Sequence, residues 1–305
     1  LAISRLAEGF VHSSSQLEML SGHNLLPSLL RLVRGMATTS EAEASARVSL
    51  SDATHTMLVR TLATICKGSP KLCLEVHKLD TSATIHEILL SQRSDVGVDR
   101  PREQLLQLLS LADEMLPPFP SAGRLGVATA AASAAASASN APRRRRSERK
   151  SADGADDDEE EPGSPPQPPP SGKCERERLL VQHPELLFSY ARRLFPVFMR
   201  VHASAVRAPV SSKCLSCLSK LVYLLPTEEL QELLRVHSLA ALIASLLTGG
   251  EASAVLASLQ MVELLLVKLP LVYRDKFLRE GVFDAVSRLG GRSAPSPATE
   301  EAFCP

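Results

Sequence analysis

Two glycine pairs, Gly249-Gly250 and Gly290-Gly291, stand 41 residues apart, and the stretch between them divides into a long apolar-periodic segment and two short ones. Glycine tolerates the left-handed backbone that closes many helices, so each pair reads as a helix end. A unit of this size cannot bury its apolar faces alone and has to stack on others like it. Units of two or three helices and about 40–47 residues are the signature of armadillo and HEAT arrays. The spacing therefore predicts an all-α chain, an armadillo/HEAT-like α-solenoid, with an irregular helical bundle as the alternative.

The periodic segments can be followed one by one. Leu215, Leu218, Leu221, Val222 and Leu225 recur at three- and four-residue spacing and form one apolar stripe, closed by Pro226. Thr227-Glu228-Glu229 is expected to give the next helix a side-chain cap and negative charge at its positive end. Residues 237–248 form a further helix. Val255, Leu259, Val262 and Leu266 mark a longer one that stops before Pro270. Its other faces carry Leu256, Leu264 and Leu265, so it should be buried nearly all round. Segments 271–279 and 282–289 complete the unit, the latter ending before Gly290-Gly291. Upstream, 51–67, 70–79 and 82–91 make a similar triplet, and 25–34 reads as the third helix of the unit before it. Leu and Ala dominate, aromatics are only 4% and Trp is absent, which opposes a sandwich or barrel.

Between these halves the composition changes. Residues 128–141 are almost all Ala and Ser. A basic run follows (Arg143, Arg144, Arg145, Arg146, Arg149 and Lys150), then six acidic residues at 156–161, then a proline-rich run at 165–170. Such a segment has no large apolar residues to offset the entropy of ordering its backbone. The expected organisation is helical repeats over 1–116, a disordered insert over 117–173, helical repeats over 174–290 and a disordered tail over 291–305. The chain begins with Leu1 and ends in a Ser/Pro-rich tail, which reads as the interior of something longer.

An ordered string of motifs narrows the reading. Asp113-Glu114-Met115-Leu116-Pro117-Pro118 closes the first helical region. His183-Pro184-Glu185-Leu186-Leu187 follows the insert, and Pro209-Val210-Ser211-Ser212-Lys213-Cys214-Leu215 opens a helix. The stretch from Leu259-Gln260-Met261 to Lys268-Leu269-Pro270 comes next, then Phe277-Leu278-Arg279-Glu280-Gly281-Val282. In this order they resemble the armadillo-like region of HECT-type E3 ubiquitin ligases of the ubiquitin-fusion-degradation class. The plant KAKTUS type is the nearer branch and the animal thyroid-receptor-interactor type the more distant. The resemblance implies a catalytic domain with its thioester-forming Cys downstream of this region. It also implies protein substrates or degrons as partners, with E2 and ubiquitin engaged only through that domain. The animal branch carries a Trp-containing WWE domain where this chain has its insert, and with no Trp that module is absent.

Within the chain itself the residues give little chemistry. Cys214-Leu215-Ser216-Cys217 is a CxxC with no second pair and no His at ligand spacing, so it reads as two small buried hydrophobes in a helical stripe. Cys66 and Cys73, either side of a Gly-Ser-Pro turn, read the same way. No GxSxG, P-loop, GxGxxG or HExxH occurs. No catalytic, cofactor-binding or metal-binding residue is expected. Equal numbers of basic and acidic residues, 34 each, provide no global field for nucleic acid or an acidic membrane. Six cysteines without a secretory leader fit a reducing compartment, cytoplasmic and/or nuclear. No run of 18 uncharged apolar residues reads as a membrane span. The basic run is a candidate nuclear import signal; the acidic block after it and the lack of interleaved aromatics weigh against nucleic acid.

What remains is surface. In armadillo-type repeats the third helices line the binding face. Their polar residues here are Arg31, Arg34, His86, Glu87, Ser245, Asp284 and Arg288. The expected function is protein recognition, as the substrate-engaging scaffold of a HECT-type ligase or, alternatively, as a free-standing armadillo adaptor in transport or signalling.

Overall fold

The structure, a computed structural model, describes residues 9, 13–21, 24–35, 51–90, 102–119, 174–205, 208–249 and 251–291. The insert from 120 onward, its basic run and the tail beyond 291 lie outside the described residues. The described helices are α1 (Ser14–Ser21), α2 (Leu25–Arg34), α3 (Asp52–Gly68), α4 (Pro70–Lys78), α5 (Thr81–Leu90), α6 (Arg102–Met115) and α7 (Glu175–Gln182). They continue with α8 (Pro184–Ser204), α9 (Ala208–Leu224), α10 (Thr227–Val236), α11 (Ala240–Thr248), α12 (Ala252–Lys268), α13 (Pro270–Arg279) and α14 (Val282–Gly291). No strand occurs among the described residues.

Local chemistry sets the breaks. Ser69 ends α3 and caps α4, its hydroxyl accepting from the Leu72 N–H, while Pro70 occupies the first helical position, where its missing N–H costs nothing. Ser51 caps α3 through the Thr54 N–H. Gly281, at φ 69°, makes the left-handed turn between α13 and α14.

The packing has a period of three helices. α3 packs on α6, α6 on α9 and α9 on α12, which gives a row of the longer helices. α1, α4 and α7 make a second row; α2, α5 and α8 form a third, and α11 packs on α14. This all-α solenoid takes in residues on both sides of 120–173 as one compact unit. Its core is aliphatic, with Leu62, Ile65, Ile85, Ile88 and Leu108 fully buried and Tyr190, Phe195 and Phe198 supplied by α8.

Four local expectations change. Pro226, not Thr227, is the cap residue of α10, and no side-chain cap forms; the first-turn acids Glu228 and Glu229 are in place as expected. Residues 237–239 precede α11 instead of belonging to it, since His237 is extended. Gly249 ends α11 in a right-handed conformation, its N–H tightening back to the Leu246 carbonyl, and α14 runs on through Gly290 and Gly291. Leu256 is 58% exposed while Leu264 and Leu265 are buried, because α9, α11 and α13 leave one side of α12 uncovered near its start.

Candidate protein-docking surfaces

The seven polar positions expected on the third helices all fall on α2, α5, α11 and α14. Arg31 and Arg34 are exposed on α2, and Arg34 donates from Nε and Nη2 to Thr84 Oγ1 on α5 (3.3 and 3.1 Å). His86 and Glu87 sit on the outward side of α5. Beyond them lies α8, whose Arg193 holds the Asp80 carboxylate at 2.7 and 2.6 Å. The His86 pKa is lowered, first by partial burial and then by the Arg193 and Arg200 charges, with Glu87 opposing. The structure thus joins Arg31, Arg34, His86 and Glu87 into one face. Ser245, Asp284 and Arg288 belong instead to the α11–α14 pair, where Ser245 Oγ bonds the Leu242 carbonyl of its own helix.

Sequence reasoning missed α8's part in this face, the residues Arg192, Arg193 and Arg200. The sequence reading traced no helix over 184–204. Pro184 is at the start of α8, and Pro196 is inside a helix that continues to Ser204. The apolar positions Leu187, Leu194, Val197, Phe198 and Val201 were the available signal.

A second feature lies in the row of long helices. Asp113, 6% exposed at the end of α6, accepts from Lys213 (2.9 Å), Lys220 (2.6 Å) and Ser216 (2.7 Å), all on α9. Burial pushes its carboxyl up, but the Lys220 charge and the three hydrogen bonds outweigh this and leave the pKa lowered. Arg176, in the first turn of α7, donates to the carbonyls of Glu114 and Leu116 and to that of Lys67, closing the C-terminal ends of α6 and α3 together.

Beside this knot a cleft of about 200 Å³ opens between α9 and the start of α12. Its floor is Leu215, Ala254 and Ala257; its polar walls are Ser211, Ser212, Ser216, Ser219, Glu251, Ser253 and Gln260. Phe119 closes one side, held by its ring contact with Tyr223 at 5.7 Å. Ser219 is 5% exposed and its Oγ has no hydrogen-bond partner. The Glu251 carboxylate accepts from Ser253 Oγ (2.8 Å) and leaves the first turn of α12 without a side-chain cap. A narrow apolar floor with hydrogen-bonding walls suits a polypeptide segment, which brings both a side chain and backbone amides.

The cysteines are packed as expected. Cys214 and Cys217 are fully buried; burial pushes the Cys214 thiol up to about 12 and raises Cys217 as well. Cys66 and Cys73 are likewise buried. The bond from Cys66 leaves the Cys73 thiol below its ordinary range against the effect of burial, and its Sγ contacts the Met115 carbonyl at 3.3 Å. His77 Nε2 meets the same carbonyl at 3.0 Å. No group of three or more His, Cys, Asp or Glu with metal-site geometry occurs among the described residues. No single described helix is long and apolar enough to cross a membrane.

The chain is similar along its whole length to E3 ubiquitin-protein ligase UPL3 of Arabidopsis thaliana, with 30% identity. It is similar over 95% of its length to E3 ubiquitin-protein ligase TRIP12 of Danio rerio, with 26% identity. Over 38% of its length it is 33% identical to E3 ubiquitin-protein ligase UPL4 of Arabidopsis thaliana. The chain spans about 15% of the length of UPL3 and of TRIP12, and 8% of that of UPL4. No protein-family profile and no solved structure matches it. The resemblance carried by the ordered motifs is therefore present across the whole chain.

Proposed function

On the premise that the relatives of this chain are E3 ubiquitin-protein ligases, we propose that it is an armadillo-like substrate-recognition segment of a HECT-type ligase, working in the cytoplasm or nucleus. Its partners are protein substrates or their degrons. E2 and ubiquitin meet a catalytic domain outside these 305 residues. The segment works by position: holding a substrate raises its effective concentration near the thioester and performs no bond chemistry itself.

The cleft between stacked repeats carries the reading: an apolar floor of Leu215, Ala254 and Ala257, edged by serine hydroxyls and Gln260, is open to a peptide side chain and its backbone amides.

The test uses the ligase that contains this segment. Ala257→Phe fills the cleft, while Gln260→Ala removes an amide from its wall and leaves the packing alone. Both should leave ubiquitin loading on the catalytic cysteine unchanged and reduce ubiquitination of bound substrates. Loss of loading, or substrate ubiquitination at the normal rate in both variants, would contradict the proposal.

A further inference from the structure

We propose that the outward face shared by α2, α5 and α8 binds a carboxylate-rich, acidic segment of a partner polypeptide, gripped by the guanidinium groups of Arg31, Arg34 and Arg200. The inference rests on the protein-docking reading above and names the chemistry of one class of partner.

Charge pairing on this face is uneven, although the chain as a whole is balanced. The carboxylates next to it are already engaged: Asp80 with Arg193 at 2.6 Å, and Glu232 with Arg192 at 3.8 Å. Among the described residues no carboxylate pairs with Arg31, Arg34 or Arg200. Among the described residues Arg34 is held by the neutral Thr84 hydroxyl, which fixes its direction. Among the described residues of α5, Glu87 is the exposed acid that stands against these three cations. The His86 pKa is depressed chiefly by partial burial, and the Arg193 and Arg200 charges beside it add to that shift.

All three cations are arginines. The guanidinium fork matches a carboxylate with two parallel hydrogen bonds, where a lysine offers a point charge. Packed helices lie about 8–10 Å apart, so α2 and α8 place their cations roughly 20 Å from each other across α5. At about 3.3 Å per residue that distance suits an extended segment of about six residues. The half-buried Phe188 of α8 lies under Arg192, at 5.9 Å from guanidinium to ring, so it is not free to stack on a base. Protein is favoured over nucleic acid.

The experiment titrates a fluorescein-labelled octa-glutamate peptide into the full chain by fluorescence anisotropy at low salt. A full-chain variant with serine at 156–161 is run in parallel, so that the chain's own acidic block cannot compete. Arg31→Glu, Arg34→Glu and Arg200→Glu combined should weaken binding by about tenfold or more, and binding to the unsubstituted chain should fall steeply with added salt. The corresponding lysine variants should retain part of the affinity. Replacing Arg143–Arg146 with alanine should leave the 156–161 variant's affinity within about twofold. Arg200→Gln alone, with an expected loss of about threefold, covers the case in which the triple variant misfolds; thermal melts identify that case. No binding in either background overturns the inference, as does loss that follows Arg143–Arg146 instead of the face, or preferential binding of octa-uridylate RNA to the face. Absent peptide binding alongside a substrate defect in the Ala257→Phe ligase overturns this inference alone. Peptide binding alongside normal ubiquitination in that ligase overturns the ligase reading alone.

Discussion

The Asp113 carboxylate on α6 lies 2.6 Å from the Lys220 ammonium on α9, and the same ammonium donates to the Asp113 carbonyl at 2.8 Å. The two residues stand on opposite sides of the low-complexity stretch. Their pairing, together with Arg176, ties the flanks into one compact unit.

Asp113→Ala should destabilise the chain by about 3–5 kcal/mol, because Lys220, itself 8% exposed, would stay buried without its counter-charge. Asp113→Leu with Lys220→Met should recover much of the loss, since two apolar groups need no partner. Urea unfolding monitored by circular dichroism measures both. Equal destabilisation by the single and double variants would show that the charge pair is not the cause.

Arg176→Met should cost about 1.5–3 kcal/mol, the range for hydrogen bonds made by a charged group. The damage should be local: amide hydrogen exchange at the ends of α3 and α6 should speed up before that of α12. Uniform loss of protection across all helices would exclude the capping role.

Lys268 donates to the carbonyls of Val222 (2.8 Å), Tyr223 (2.5 Å) and Leu225 (2.8 Å), and so closes the C-terminus of α9 with a cation. Burial lowers its pKa to about 8 from the usual 10.5. A lysine whose folded pKa lies below the unfolded one binds fewer protons in the folded state between those two values. Its contribution to stability therefore rises as pH increases through that window and is flat below about pH 8. The stability difference between the unsubstituted chain and Lys268→Met, measured by chemical denaturation from pH 7 to 10.5, should grow with pH. A difference that shrinks with pH would reverse the assignment.

Iodoacetamide at neutral pH should label Cys174 first among the described cysteines. Cys66, Cys73, Cys214 and Cys217 are fully buried, whereas Cys174 is partly exposed. Peptide mass spectrometry after short exposure reads this directly. Rapid alkylation of Cys214 or Cys217 in the folded chain would revive a thiol-based activity for the CxxC pair.

Much of the helical pattern was legible. Segments 25–34, 51–67 and 70–79 were placed to within a residue, because apolar periodicity and the Ser/Pro punctuation agree there. The 21-residue helix α8 was not traced, although its apolar positions recur at helical spacing, and with it went the arginines of the α2–α5–α8 face. Leu256 read as core because composition alone cannot show which side of an all-apolar helix lacks a neighbour. The cleft had no local signal, since Ser219 differs from any other helical serine only in what surrounds it.

By itself the sequence determined the all-α class, the three-helix period, the family likeness and the burial of Cys66, Cys73, Cys214 and Cys217. These follow from spacing, composition and ordered motifs that neighbours in the chain already express. Only tertiary structure decided that Asp113 would meet Lys220, that Arg176 would close two helices at once, and that Ser219 would be buried without a partner. Each of these depends on groups brought together across the stacked rows, and the desolvation that makes a charge or a hydroxyl matter exists only after the helices have packed.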